Sequence, residues 1–232
     1  MKRLFALAAL VWAGALYAAP PHQTAATYAL TKQGQRIGTV TETFKQDDGR
    51  YTLESVTAAT GIYALFAKGK IVLASSGEVT DKGLRPLHFE HQRGGDPAKT
   101  IRADFDWDAM SLVHHFDGNT ETAKLEPGTQ DRISLLYQFM FMQSAKGDAK
   151  LWMTTGRKLN LYQYKRAGEE KIATPAGTFL TLHFIKQHAA DEDGTEIWLA
   201  KKRHNFPVRI VIEEHDGGRI EQNLTALSFE GE

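Results

Sequence analysis

The stretch Ile101-Arg-Ala-Asp-Phe-Asp-Trp107 decides the fold class, because apolar and charged residues alternate along it. Successive side chains of a β-strand point to opposite faces of the sheet. The stretch therefore predicts a strand with one apolar face and one charged face. The run from Val208 to Ile212 and the run from Ile220 to Ala226 continue this pattern further along the chain.

Short segments rich in turn-forming residues separate these runs. Gly217-Gly218 and Asp47-Asp48-Gly49 each lie between two strand-like runs, and glycine adopts the positive φ that tight hairpin turns require. Further turns are predicted at Pro175–Gly177 and Asp191–Gly194. The pattern predicts an all-β, mainly antiparallel fold, built as a curved sheet, a half-open barrel or a sandwich.

One segment departs from the strand pattern and predicts a single short amphipathic helix at about 131–144. Its apolar residues are spaced as on one helix face; they are Ile133, Leu136, Tyr137, Met140 and Phe141. Such a helix either plugs the core of the sheet or gates a cavity. We favour the plug, because apolar helix faces normally belong to the core.

The composition describes an ordinary globular protein. The 232 residues include 28 Lys and Arg and 28 Asp and Glu, which gives a formal net charge of zero, and the mean hydropathy is −0.38. A nucleic-acid binder would carry a basic excess, so we expect no nucleic-acid partner. The absence of cysteine excludes disulfides, thiol catalysis and cysteine-ligated metals.

The first residues predict an export signal. Lys2 and Arg3 precede an apolar run from Leu4 to Leu16, and Tyr17-Ala-Ala19 follows it before Pro20. This layout is typical of a secretory signal peptide, and the run is too short for a comfortable membrane span. We therefore expect a signal peptide at 1–18, a single β-rich domain at 19–232, and a periplasmic or secreted protein. Because no cysteine follows the apolar run, we expect that the protein is not a lipoprotein, and we expect no membrane span in the mature form.

Four motifs together resemble a known family, in chain order Gly83-Leu-Arg-Pro-Leu-His-Phe-Glu90, Gln130-Asp-Arg-Ile-Ser-Leu-Leu-Tyr137, Pro175-Ala-Gly-Thr-Phe179 and Asn205-Phe-Pro-Val-Arg-Ile210. The chain is similar, from roughly Tyr28 to Leu227, to a bacterial family of exported proteins that carries only a domain-of-unknown-function name. The resemblance implies an exported, mostly antiparallel β domain, and it supplies no activity or site residues. Arg132 stands where the family often has proline.

Motifs for catalysis or cofactor binding do not stand out. His88 and His91 lie in a strand-like run, where residues three apart face opposite sides, so no metal site is predicted. No phosphate-binding loop or serine nucleophile motif is present. The available carboxylates are Glu42, Glu54, Glu90, Asp104 and Glu196, and none is singled out. We predict no catalytic residue, no metal and no cofactor.

The apolar stretch Gly61–Ala67 is ambiguous. A short apolar run is compatible with a buried strand, which we favour. The alternative is a mobile flap that presents Tyr63, Leu65 and Phe66.

Three functions remain open. The first is a non-enzymatic binding module for an apolar or amphipathic, lipid-like ligand or an envelope component. Its candidate ligand-binding residues are the aromatics Tyr63, Phe66, Phe105, Trp107, Phe139, Phe141, Trp152, Tyr162, Phe184 and Trp198. The second is an assembly factor that binds an envelope protein at a sheet edge, and the third is a hydrolase of an envelope glycan or ester. A continuous apolar cavity of a few hundred Å³ or more, lined by these aromatics and gated by Ile133–Met142, would favour the first function.

Overall fold

The computed structural model describes residues 20–94, 96–142 and 147–230, so the predicted signal peptide at 1–18 lies outside the described residues. Strands account for most of this part of the chain. They are β1 Gln23–Lys32, β2 Gln35–Asp47, β3 Arg50–Ala59, β4 Ile71–Thr80, β5 Gly83–Arg93, β6 Ile101–Asp106, β7 Ser111–Phe116, β8 Asn119–Lys124, β9 Gln130–Asp131, β10 Ala149–Thr154, β11 Leu159–Thr174, β12 Gly177–Gln187, β13 Gly194–Ala200, β14 Phe206–Glu213 and β15 Arg219–Phe229. One α-helix, α1, spans Ser134–Gln138, and two 3-10 helices span Gly61–Leu65 and Pro97–Lys99.

All 15 strands belong to one open sheet with the order β8-β7-β6-β5-β4-β3-β2-β1-β15-β14-β13-β12-β11-β10-β9. Every pair in it is antiparallel except β9 with β10. The predicted all-β, mainly antiparallel fold is confirmed, in the form of a single curved sheet.

The curvature brings the two ends of the strand order together through side chains. His114 of β7 lies 2.8 Å from Thr154 of β10, measured from Nε2 to Oγ1. The amide Nε2 of Gln130 in β9 donates to the carbonyl of Leu84 in β5 at 2.8 Å. The sheet therefore bends around an interior without a backbone ladder that closes it.

The alternation around residue 101 has the predicted consequence. In β6 the side chains of Ile101, Ala103 and Phe105 are buried, and those between them face outward. The predicted turn between β2 and β3 is also present, with Asp48 at φ 45° and Gly49 at φ 71°. Two successive positive φ values are the geometry of the favoured two-residue hairpin turn.

The connections alternate between the two ends of the sheet, because neighbouring strands run antiparallel. The β1–β2, β3–β4, β12–β13 and β14–β15 connections lie at one end, which we call the open end. Aromatic side chains fill the opposite end: Tyr137 of α1 lies 5.3 Å from Phe44 and 5.7 Å from Phe206, measured between ring centroids. This packing fills the interior at that end of the sheet.

The helix is confirmed as a plug but is shorter than the predicted 131–144. It packs against β5, β9 and β14, and both Leu135 and Tyr137 are buried. After Gln138 the chain continues in tighter turns, in which Met140 and Phe141 donate to the carbonyls three residues before them. The α-helical hydrogen-bond pattern therefore ends at Gln138, and residues 143–146 lie outside the described part.

A buried carboxylate anchors the start of α1. Asp131 of β9 is fully buried and accepts hydrogen bonds from the backbone N–H groups of Ile133 and Ser134 at 3.0 and 2.9 Å. It also accepts one from the hydroxyl of Ser75 in β4 at 2.5 Å. One side chain therefore joins the helix to strands from both halves of the sheet.

The prediction of a buried strand at Gly61–Ala67 is wrong. The segment forms a 3-10 helix without a buried residue, and Leu65 and Phe66 are 81% and 82% exposed. The alternation of strand faces is absent here, so nothing in the segment distinguishes an inner from an outer face.

Gly77 gives a first testable prediction about the fold. It lies at a register shift between β4 and β5, where an added Cβ would be 2.2 Å from the Arg85 carbonyl oxygen and 2.8 Å from the Pro86 Cα. We expect Gly77→Ala to lower the free energy of unfolding by about 2 kcal/mol, because backbone atoms must move to accept the methyl group. Urea denaturation measures this loss. Gly147→Ala, where an added Cβ meets no atom within 4 Å, is the matched control, and equal losses in the two variants would contradict the prediction.

Candidate functional site

The interior of the curved sheet contains a cavity of about 720 Å³ that opens toward the open end. Ser55 and Thr57 of β3 lie on one side of it, and Tyr162 and Tyr164 of β11 on the other. In the strand order these two strands are seven positions apart, so only the curvature of the sheet makes them face each other.

One part of the cavity wall is aliphatic. The side chains that form it come from strands on both sides and from the helix region; they are Leu73, Ile133, Leu135, Leu136, Met153, Leu161, Ile210 and Ile212. Ile210 and Ile212 lie two apart in β14 and therefore point to the same side of the sheet. This wall offers an apolar ligand a surface without hydrogen-bonding demands.

A single buried carboxylate, Glu42 of β2, forms part of the polar wall. Its oxygens accept hydrogen bonds from the Ser55 hydroxyl at 3.1 Å and the Tyr137 hydroxyl at 3.2 Å. Burial raises the pKa of Glu42 to about 7, and the two hydrogen bonds offset part of that effect. The floor of the cavity therefore carries an acid that changes its charge near neutral pH.

Charged side chains surround the opening of the cavity. Arg132 makes no hydrogen bond or ion pair with any other residue in the described ranges. Desolvation by the surrounding protein, and then the neighbouring Arg93, lower its pKa, although its side chain still contacts solvent in the cavity. Lys186 lies 4.8 Å from the ring centroid of Tyr162. Arg132 is thus the guanidinium available for a negatively charged ligand group.

In the β12–β13 and β14–β15 connections, His215 and Asp193 pair with each other. The His215 Nδ1 lies 3.0 Å from Oδ1 of Asp193. This contact raises the pKa of His215 and lowers that of Asp193. Asp191 and Glu192 also lie here, and the Lys186 Nζ donates to the Asp193 carbonyl at 2.9 Å, so this part of the opening carries charges of both signs.

Of the ten aromatic candidate residues, only Tyr162 lines the cavity. Phe105, Phe139, Phe184 and Trp198 are buried in the packing of the sheet and helix. Phe141 packs on Phe44, whereas Trp107 stacks with Phe105 and donates to the Pro86 carbonyl at 2.7 Å.

The three remaining aromatics lie elsewhere. Trp152 is half-buried on β10, on the face opposite to the cavity-lining Met153. Tyr63 and Phe66 are exposed beside the open end. Aromatic residues are the largest apolar side chains and serve the core first, so their number was a poor guide to the cavity wall.

The sequence contained two signals for the polar cavity residues. In β2, Glu42 lies between the inward-facing Val40 and Phe44, so strand alternation places a carboxylate inside the sheet. Arg132 directly precedes the apolar face of the predicted helix, which begins at Ile133. The aliphatic liners carry no such signal, because alternation identifies a face but not which face of a curved sheet is concave.

The described residues form neither a metal-binding group nor a membrane-spanning helix. Residues 20–94, 96–142 and 147–230 contain no group of three or more His, Asp or Glu side chains placed to hold a metal ion. In the same ranges, no helix has both the length and the apolar character required to cross a membrane.

A single open, mainly antiparallel sheet around an internal cavity defines the class of protein, an all-β domain with a concave site. The family described as "Protein of unknown function (DUF3108)" matches residues 24–225. The match spans most of the chain, so the chain belongs to this family, in agreement with the resemblance seen in its motifs. No curated protein has a matching sequence.

The chain is also similar, at low TM-scores, to two crystal structures. One is described as a candidate exported protein with a YmcC-like fold from Bacteroides fragilis, with 10% identity and a TM-score of 0.36 over 90% of this chain and 97% of that chain. The other is described as a candidate lipoprotein from Parabacteroides distasonis, with 11% identity and a TM-score of 0.37 over the same shares of the two chains.

Proposed function

We propose that this chain is an exported, non-enzymatic binding protein that holds an amphipathic, lipid-like ligand in the concave cavity. The observation that carries the proposal is the cavity itself, with an aliphatic wall inside and an unpaired guanidinium at its opening. Its volume of about 720 Å³ falls within the usual range of small-molecule sites.

The two kinds of wall suit the two parts of an amphiphile. Ile210, Ile212 and Leu136 offer the apolar part a surface whose contact with water is lost on binding, which is the main driving force for such ligands. Arg132 offers a planar donor set that fits a carboxylate or phosphate. We infer that the ligand carries a negatively charged group next to its apolar part.

The two other hypotheses receive no specific support. The edge strand β8 contains Glu121 and Lys124 and is almost entirely exposed, and charged edges of this kind oppose strand addition. A serine hydrolase would need a histidine beside its nucleophile. The Ser55 hydroxyl donates a hydrogen bond to Glu42, but no histidine among the described cavity residues lies within hydrogen-bond distance of Ser55.

A displacement assay with a fluorescent fatty acid tests the proposal. We expect Arg132→Gln to weaken the binding of a long-chain fatty acid about tenfold, because a charge-assisted hydrogen bond is lost. The affinity for an uncharged monoacylglycerol should stay nearly constant. Arg50→Gln, at an exposed hairpin position, is the matched control.

The aliphatic wall needs its own variant. Ile212→Asp places a charge in the cavity and should abolish measurable binding of both probes. Unchanged affinity in Ile212→Asp would overturn the proposed site. Native mass spectrometry that detects neither a bound mass nor uptake of any acyl lipid by the unmodified protein would overturn the proposed function.

A further inference from the structure

The connection between β3 and β4 concentrates the exposed apolar surface of the molecule. Five of the seven large apolar side chains that are exposed in the described part lie between residues 62 and 71, namely Ile62, Tyr63, Leu65, Phe66 and Ile71. The most prominent are Leu65 and Phe66, at 81% and 82% exposure. A cluster of this kind marks an interaction surface, because soluble proteins rarely leave large apolar groups contiguous and uncovered.

This segment, residues 60–70, which we call the apolar loop, is held in place at its base. The Thr60 N–H donates to the Ile37 carbonyl at 3.0 Å, and the Tyr63 hydroxyl donates to Gln35 Oε1 at 2.9 Å. At the other end the Gly94 N–H donates to the Lys70 carbonyl at 3.0 Å. The loop therefore projects its apolar side chains from a fixed base on β2 and β5.

Hydrogen bonds inside the apolar loop satisfy part of its backbone. The N–H groups of Phe66 and Ala67 both donate to the Tyr63 carbonyl, at 3.2 and 3.1 Å. A backbone that bonds to itself enters an apolar medium at lower cost than an extended one. This local structure suits insertion into a lipid interface.

The charges around the apolar loop are basic. Between Glu54 and Glu78 the sequence contains no acidic residue, whereas Lys68 and Lys70 follow the apolar side chains directly and are exposed. Arg93 lies opposite Ile71 in the β4–β5 ladder. Phe and Leu next to Lys and Arg is the composition that binds anionic membrane surfaces.

The apolar loop lies beside the cavity opening. The β3–β4 connection is at the open end, and Thr57 and Leu73, on the two strands that carry the loop, line the cavity. In the β12–β13 connection, Asp191 and Glu192 lie with the cavity-lining Lys186, so that part of the opening carries charges of both signs. A negatively charged surface would therefore attract the basic side with the apolar loop more strongly.

We propose that the apolar loop docks on an anionic phospholipid surface, with Ile62, Leu65 and Phe66 in the interface and Lys68 and Lys70 on lipid phosphates. The open end of the cavity then faces the bilayer, from which an amphiphile can enter. The docking surface contains no cavity residue. Only the purpose of docking, the entry of an amphiphile into the cavity, rests on the proposed function.

Vesicle flotation with the purified exported protein tests the proposal. The vesicles consist of phosphatidylethanolamine with or without phosphatidylglycerol. We expect binding to the mixed vesicles that weakens with added salt. Leu65→Ser combined with Phe66→Ser should weaken it at least tenfold, since two apolar side chains leave the interface. Lys68→Glu combined with Lys70→Glu should weaken binding to the mixed vesicles more than to phosphatidylethanolamine alone.

Matched controls separate docking from general effects. Leu180→Ser on β12 and Lys171→Glu on β11 replace exposed residues away from the apolar loop and should leave vesicle binding unchanged. The loop variants should keep the melting temperature and the fatty-acid affinity in solution. Loss of fatty-acid binding in Ile212→Asp with intact flotation would show that the cavity and the docking surface act separately.

Two results would overturn the docking proposal. One is flotation of the loop variants at the level of the unmodified protein. The other is the absence of flotation of the unmodified protein with both vesicle types. Neither result would bear on the fatty-acid affinity that tests the proposed function.

Discussion

Asp131→Ala is expected to lower the free energy of unfolding by about 3 kcal/mol or more. The substitution removes the acceptor for the backbone N–H groups of Ile133 and Ser134 and for the Ser75 hydroxyl, and all of these lie in the interior. Each buried donor left without a partner costs about 1–3 kcal/mol. The loss should appear as a lower urea midpoint at constant slope.

Asp131→Asn separates hydrogen bonding from charge. Burial raises the pKa of Asp131, so its ionised form carries a desolvation penalty that asparagine avoids. The asparagine oxygen can still accept hydrogen bonds from the two N–H groups. The loss of unfolding free energy in Asp131→Asn should therefore be less than half of the loss in Asp131→Ala. Asp81→Ala, at an exposed turn position, serves as control. A loss below about 1 kcal/mol in Asp131→Ala would show that the carboxylate does not hold the helix to the sheet.

Glu42 should make the stability of the protein depend on pH near neutrality. Its pKa of about 7 in the folded protein exceeds the ordinary 4.5, so between these values the folded state binds more protons than the unfolded state. Stability therefore falls as the pH rises through this window. The full difference corresponds to about 3 kcal/mol, at 1.36 kcal/mol for each pKa unit.

Glu42→Gln isolates this contribution, because glutamine resembles the protonated acid and does not titrate. Below pH 4.5 the two proteins should be nearly equally stable, and above pH 7 the variant should be more stable by about 3 kcal/mol. Unfolding free energies measured across this range for both proteins give the difference curve. Exposed carboxylates contribute equally to the pH dependence of both proteins, so their contributions cancel in the difference curve. A flat difference curve would show that Glu42 is not desolvated in the folded state.

The sequence predicted those features of the fold that depend on local periodicity. The alternation in β6 and the turn at Asp48-Gly49 each reflect a short-range rule that tertiary structure preserves. The position of the helix was predicted, but the predicted helix was too long. After Gln138 the backbone N–H groups of Met140 and Phe141 bond to carbonyls three residues earlier, which apolar periodicity does not reveal.

The cavity could not be predicted in the same way. Its wall joins Thr57 of β3 with Tyr162 of β11, and their proximity depends on the summed twist and curvature of the strands between them. Aromatic content was informative about the core but not about the wall. Glu42 was the accessible clue, since a charged residue at an inward-facing position demands an explanation.

The pairing of β1 with β15 has a consequence for how the protein folds. Among the described strands every other ladder joins neighbours in the sequence, whereas the Thr225 hydroxyl reaches the Thr27 carbonyl across 198 positions. The meanders β1–β8 and β9–β15 can each form by short loop closures, and the single long-range ladder must then unite them. Completion of that ladder is the expected slow step, and until it occurs both half-sheets expose edges on which chains can aggregate.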